Sequence, residues 1–176
     1  PNLIQCSPTP PEGVTGRLIY VGSGSLEEFD GKEVNGSIVL MKFNSLNNWI
    51  NAAKLGAKAV IFIEPVETAR VEAESKVILT PIYFPRVYVS KSVGETLKTL
   101  AKENAMVTVR SSMKYEWRTA KNIIGVLEGE FDDQIIVLMA HYDSWSPVPS
   151  LAPDAYDAIQ AATLLEMARI LSATKP

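Results

Sequence analysis

The residues with the clearest chemical potential in this chain lie close together near its C-terminal third. His141 is the single histidine of the 176-residue sequence, and it falls in the run Ala140-His141-Tyr142-Asp143-Ser144-Trp145. It follows a segment, 134–140, that is unbroken apolar from Ile135 to Ala140 and reads as a buried strand, and in open α/β sheets ligands bind where strands end. The i, i+2 spacing at a strand end sets the side chains of His141 and Asp143 on one side. One imidazole nitrogen can then meet a metal ion while the carboxylate holds the other ring N–H, fixing the tautomer and raising basicity. Asp154 and Asp157 follow in the next loop and could add an oxygen ligand. A lone histidine after a strand is more often an ordinary surface residue. A hydrolytic zinc centre also takes three protein ligands, an activated water and a nearby base, more than one histidine and a few carboxylates supply.

Other motifs carry less. Gly22-Ser23-Gly24-Ser25 follows a strand, but no helix opening with Lys-Ser/Thr comes after it, so it reads as a turn rather than a phosphate loop. Ser144 lacks the glycines of a nucleophile elbow. The acidic run 128–133 lacks the spaced ligands of a calcium loop and reads as a solvated hairpin tip. Tyr142 and Trp145 either line a pocket or cap a sheet edge, and Glu166 pairs with a nearby cation as an ordinary helix-face charge. Cys6 is the only cysteine, which excludes an intramolecular disulfide and a cysteine-based zinc module.

The elements that must position His141 begin far upstream. Residues 1–13 carry Pro8, Pro10 and Pro11 and read as an extended arm. Strands are expected at 17–21 and 37–43, with Asp30-Gly31 and Asn35-Gly36 giving turns between them. A helix at 47–55, with Trp49, Ala52, Ala53 and Leu55 apolar and Gly56 as its cap, leads at once into a continuous apolar strand at 58–63, a βαβ pattern. Residues 66–85 read as an irregular loop. Further along come a strand at 86–90, a helix at 93–104 with Val93, Leu97 and Leu100 at core spacing, a strand at 106–110 and a half-buried strand from 111 to 119. Beyond a boundary near Arg118, strands are expected at 120–127 and 134–140, then a proline-broken loop at 146–153 and a helix from about 155 to 172. That helix is apolar almost all round and calls for neighbours on several sides. The chain stops soon after it at Pro176 and starts without a methionine, so the reading is of a processed or cut and incomplete protein.

Composition excludes several classes. Hydrophobic residues make up 47% and charged residues 21%, the balance of a globular protein. A formal net charge of −3 with no basic stripe argues against nucleic acid. No apolar run reaches membrane-spanning length.

The order strand, His-x-Asp-Ser and apolar helix, with Asn122-Ile123-Ile124-Gly125-Val126-Leu127 before it and Ala161-Ala162-Thr163-Leu164-Leu165-Glu166-Met167-Ala168-Arg169 after it, resembles the start of the co-catalytic zinc aminopeptidase and glutamate carboxypeptidase family over residues 119–171. Upstream, 17–24, 36–41 and above all Ala52-Ala53-Lys54-Leu55-Gly56-Ala57-Lys58-Ala59 resemble the protease-associated (PA) domain that such enzymes carry. The resemblance implies an α/β fold: an arm at 1–13, a small β-rich PA domain at 14–118 and an N-terminal fragment of a mixed α/β peptidase sheet at 119–176. It implies paired zinc ions, with His141 as a ligand, Asp143 orienting it and Asp154 (or in reserve Asp157) bridging the metals. It also implies a peptide substrate, an extracytoplasmic setting and possible homo-oligomers. Here no glycine surrounds Asp154, where the family usually has them. The family's base glutamate and second histidine would lie past the end of the chain, so these 176 residues are not expected to hydrolyse peptides alone. The rival reading is a PA-type interaction module carrying a degenerate peptidase remnant.

Overall fold

The computed structural model describes residues 8–77, 82–112, 116–129, 133–143 and 154–174, excepting the side chains of 154–157. It divides into two units, Pro1–Lys114 and Tyr115–Pro176.

The first unit is built on a five-stranded sheet whose elements follow the sequence pattern closely. Its strands are β1 (Val14–Tyr20), β2 (Ile38–Lys42), β3 (Ala59–Ile63), β4 (Arg86–Val89) and β5 (Met106–Val109), in the order β4-β3-β2-β1-β5. The β1–β2, β2–β3 and β3–β4 pairs are parallel, whereas β5 runs antiparallel to β1, pairing Val14 with Val109 and Arg17 with Met106. The Asp30-Gly31 and Asn35-Gly36 turns thus lie in a crossover between parallel strands, where Gly31 and Gly36 adopt φ of +70° and +77°. β2 and β3 are buried almost throughout, which explains their unbroken apolar sequences: helices cover both faces of the sheet.

One face carries Leu18, Ile38, Leu40, Ala59, Ile61 and Ile63, packed by Leu97, Leu100 and Ala101 of α3 (Lys91–Lys102). Gly94, rather than Val93, is the α3 residue buried against the sheet, and Val93 is exposed. Leu97 and Leu100 thus hold the expected core positions, and Gly94 takes the place expected of Val93, letting the helix backbone approach Ile63. Ser90 caps this helix by accepting the Val93 N–H. Trp49 and Ala52 of α1 (Trp49–Lys54) are buried, while Leu55 is exposed. Phe43, Phe62 and Tyr88 meet edge to face, with centroids 5.7 and 5.6 Å apart. The region read as a loop contains a short helix, α2 (Arg70–Glu74), with Ala73 buried.

The second unit departs from expectation. Among its described residues the one regular element is α4 (Asp154–Thr174), close to the expected helix. Segments 120–127 and 134–140 form no strands, and neither do the described parts of 111–119. Ile123 is 83% exposed and Ile135 and Ile136 are each 87% exposed. A strand is defined by its hydrogen-bonded neighbours, and none of the described backbone bonds pairs 120–127 or 134–140. Among the described residues no helix is long and apolar enough to cross a membrane.

Candidate functional site

His141 and Asp143 lie at the end of the apolar segment 134–140, on irregular backbone. Their side chains are 81% and 82% exposed, and Nδ1 of the imidazole stands 3.8 Å from Oδ1 of Asp143. That separation exceeds a hydrogen bond, so the carboxylate faces Nδ1 without binding it and leaves Nε2 for another ligand. Between them, the Tyr142 hydroxyl donates to the Lys121 carbonyl at 2.7 Å, tying the end of this segment to the start of 120–127.

Asp154 is the first residue of α4 and Asp157 lies in its first turn, but their side chains lie outside the described residues. Ser144, Trp145 and the 146–153 loop lie outside them too. Of the sequence-derived site, then, the structure brings together His141 and Asp143. Among the described residues no group of three or more His, Cys, Asp or Glu side chains is placed to hold a metal ion. An imidazole with a carboxylate on its far nitrogen suits a zinc ligand and its orienting partner. These two residues do not by themselves complete a zinc cage.

Three polar arrangements in the first unit were not legible beforehand. The Gly22–Ser25 turn does cradle an anion, and the anion is the chain's own Glu28. Ser23 N–H donates to both carboxylate oxygens (3.1 and 2.9 Å), Ser23 Oγ donates at 2.8 Å and Ser25 N–H at 3.1 Å. Burial pushes the Glu28 carboxyl up, but the bonds from Ser23, Ser25 and Gly24 together hold it below its ordinary value. The capping-box spacing Ser25-x-x-Glu28 was the available signal. Asn48 and Asn51 of the adjoining α1 region fix the outside of this turn by donating to the Ser23 and Gly24 carbonyls.

At the end of β2, Glu72 Oε2 accepts the N–H groups of Ser45 and Leu46, and buried Lys76 approaches it at 3.4 Å. Its i, i+4 spacing on a helical turn was the only hint. Buried Arg86 donates to the Lys76 carbonyl at 2.6 Å and lies 4.1 Å over the Trp49 ring, while Trp49 Nε1 donates to the Ser75 carbonyl. Nothing local in the sequence pairs these residues.

Residues 14–97 match the PA domain, and residues 122–176 match peptidase family M28. No curated protein matches the chain. Among solved structures, an aminopeptidase from Aneurinibacillus sp. strain AM-1 is similar, at 25% identity and a TM-score of 0.40, over 58% of this chain and 26% of that one. The chain thus spans about a quarter of that protein's length. His141 and Asp143 fall inside the M28 match, and the mixed five-stranded sheet holds most of the PA match. The chain carries a PA domain joined to part of a family M28 peptidase domain.

Proposed function

We propose that this chain is part of a zinc-dependent exopeptidase, an aminopeptidase or carboxypeptidase, in which His141 is a zinc ligand, Asp143 orients it and Asp154 bridges the metals, with Asp157 as the alternative bridge. The observation that supports this is the juxtaposition of the only imidazole with a carboxylate on its Nδ1 side, 3.8 Å away, within the M28 match. Zinc, when bound, supplies an activated water and polarises the peptide carbonyl. The chain's own contribution is narrower. Asp143 sets the orientation of the His141 ring, and Tyr142, through the Lys121 carbonyl, holds the backbone that carries both. One histidine and its neighbouring aspartates fall short of the ligands and base that a hydrolytic centre needs. The 176-residue chain is therefore inactive alone, and its activity belongs to a longer polypeptide. The PA domain serves to cover the cleft or to bind partners.

The test is zinc content and affinity of a longer polypeptide that includes the rest of the peptidase domain. His141→Ala should lose metal, and Asp143→Asn should weaken zinc binding by about 10–100-fold. Full zinc stoichiometry with unchanged peptidase activity in His141→Ala would exclude the assignment. A second reading, an interaction module with a degenerate peptidase remnant, draws on the absence of glycine around Asp154 in Leu151-Ala152-Pro153-Asp154-Ala155-Tyr156-Asp157. It requires the longer polypeptide to bind no zinc at all.

A further inference from the structure

At the carboxyl end of β2 the chain turns through Leu46 at φ +45°, a left-handed conformation that a leucine rarely adopts. Side chains of Glu72 in α2 and of Lys76 just after that helix hold it there. The Ser45 and Leu46 N–H groups donate to Glu72 Oε2 at 2.9 and 2.8 Å, and Lys76 Nζ donates to the Leu46 carbonyl at 2.8 Å. Asn44 completes the tie by donating to the Glu67 carbonyl and accepting from Thr68. Lys76 is only 3% exposed, and its ammonium faces the rings of Phe43 and Phe62 at 4.9 and 5.4 Å. The same bonds that shape the turn thus keep a cation out of water.

We propose that Lys76, Glu72 and the left-handed turn at Leu46 form a proton-sensitive latch, in which a protonated Lys76 favours the opened turn and a neutral one the closed turn. The physical reason is desolvation: the closed latch disfavours the ammonium relative to the amine, whereas opening returns Lys76 to water. Burial lowers the Lys76 amine from 10.5 to about 8, Glu72 raises it in part, and Arg86 lowers it further. The closed form therefore binds fewer protons than the open form between about pH 8 and 10.5, and closure strengthens as pH rises through that window. Of the charged groups that act on Lys76, Glu72 comes from α2 and Arg86 from β4, and Tyr88, also of β4, packs on the Phe43 ring that the ammonium faces. The Tyr88 phenol is pushed up to about 12, chiefly by burial and then by Glu64, and stays neutral throughout. Arg86 stays charged, and Phe43 and Phe62 contribute no titrating group. Lys76 is left as the group that changes.

The experiment is relaxation-dispersion NMR on the Ser45 and Leu46 amides of the full 176-residue chain, with the Lys76 Cε shift titrated in parallel. The expected result is an open population about tenfold smaller at pH 9 than at pH 7, with Lys76 titrating near 8. In Lys76→Met the open population should be independent of pH between 7 and 9, and a pH dependence that persists in this variant would overturn the proposal. An ordinary lysine titration for Cε in the wild-type chain would overturn the proposal without recourse to the variant. So would exchange at Ser45 and Leu46 that is absent, or that does not change between the two pH values.

Discussion

Glu28 shows how a single side chain can use up the chemistry that a glycine-rich turn offers. Successive N–H groups turned inward form a concavity that takes an anion, and at Ser23 and Ser25 they surround a carboxylate five and three residues away. Gly22 sits at φ +54°, and a β-carbon there would come 1.7 Å from Glu28 Oε1. Gly22→Ala is therefore strained twice over, by its backbone and by eviction of the carboxylate, and should cost at least about 1 kcal/mol in urea unfolding. Glu28→Gln keeps the shape and loses the charge. It should destabilise the chain by about 1–2 kcal/mol at pH 7. Because the folded-state carboxyl is held below its ordinary 4.5, the wild-type advantage is complete above that value and disappears as pH falls through the lowered one. Denaturant curves for both proteins between pH 7 and 3 check this, and a gap that stays constant down to pH 3 would contradict it.

Among the elements, α3 shows how spacing located the helix and two of its core residues, Leu97 and Leu100, but missed the glycine that makes its closest approach. Val93, Leu97 and Leu100 satisfy a helical stripe, yet Gly94 is the buried member and Val93 faces water. A β-carbon at Gly94 would lie 2.4 Å from Ile63 Cγ2, at the C-terminal end of β3. Gly94→Ala would gain up to about 1 kcal/mol of intrinsic helix preference, but the overpacking it creates costs roughly 1–3 kcal/mol. Lower thermal stability is expected, and an equal or higher melting temperature would show that α3 can shift outward freely. The same contrast separates the legible parts of this chain from the rest. β2, β3 and α1 were readable because continuous apolar runs and the Gly56 cap are local signals of burial on both faces and of a helix end. His141 and Asp143 were readable as a pair because two residues of spacing suffice to place them together. The Lys76–Glu72 clamp and the Arg86–Trp49 stack join side chains by tertiary contact, which no periodicity encodes, and α2 is too short to register as a pattern against the mixed polar composition of 66–85.

At the scale of the molecule, the first unit closes its own core and the described part of the second does not. Leu18, Ile38, Leu40, Val60 and Trp49 are buried within the sheet unit by its own helices. A fragment of residues 8–112 should therefore fold alone, with dispersed amide resonances and a cooperative melt, and a collapsed spectrum would refute that. Segments 120–127 and 134–140 have the composition of strands, but their apolar side chains point at solvent in neighbouring positions, so a strand there would have two apolar faces to cover and two edges to pair. Local preference cannot supply either, because sheet hydrogen bonds come from other segments. Amides of 120–127 and 134–140 should thus exchange with deuterium nearly as fast as unstructured peptide in the 176-residue chain, while those of β2 and β3 are strongly protected. In a longer polypeptide that contains the remainder of the M28 domain, the same amides should gain protection of several orders of magnitude, and His141 should come to lie at the end of a paired strand. Strong protection of 134–140 in the short chain would mean that this segment already has a partner. Continued rapid exchange in the longer polypeptide would mean that the apolar run is not a strand of the peptidase sheet, and the assignment of His141 as a ligand at a strand end would fall with it.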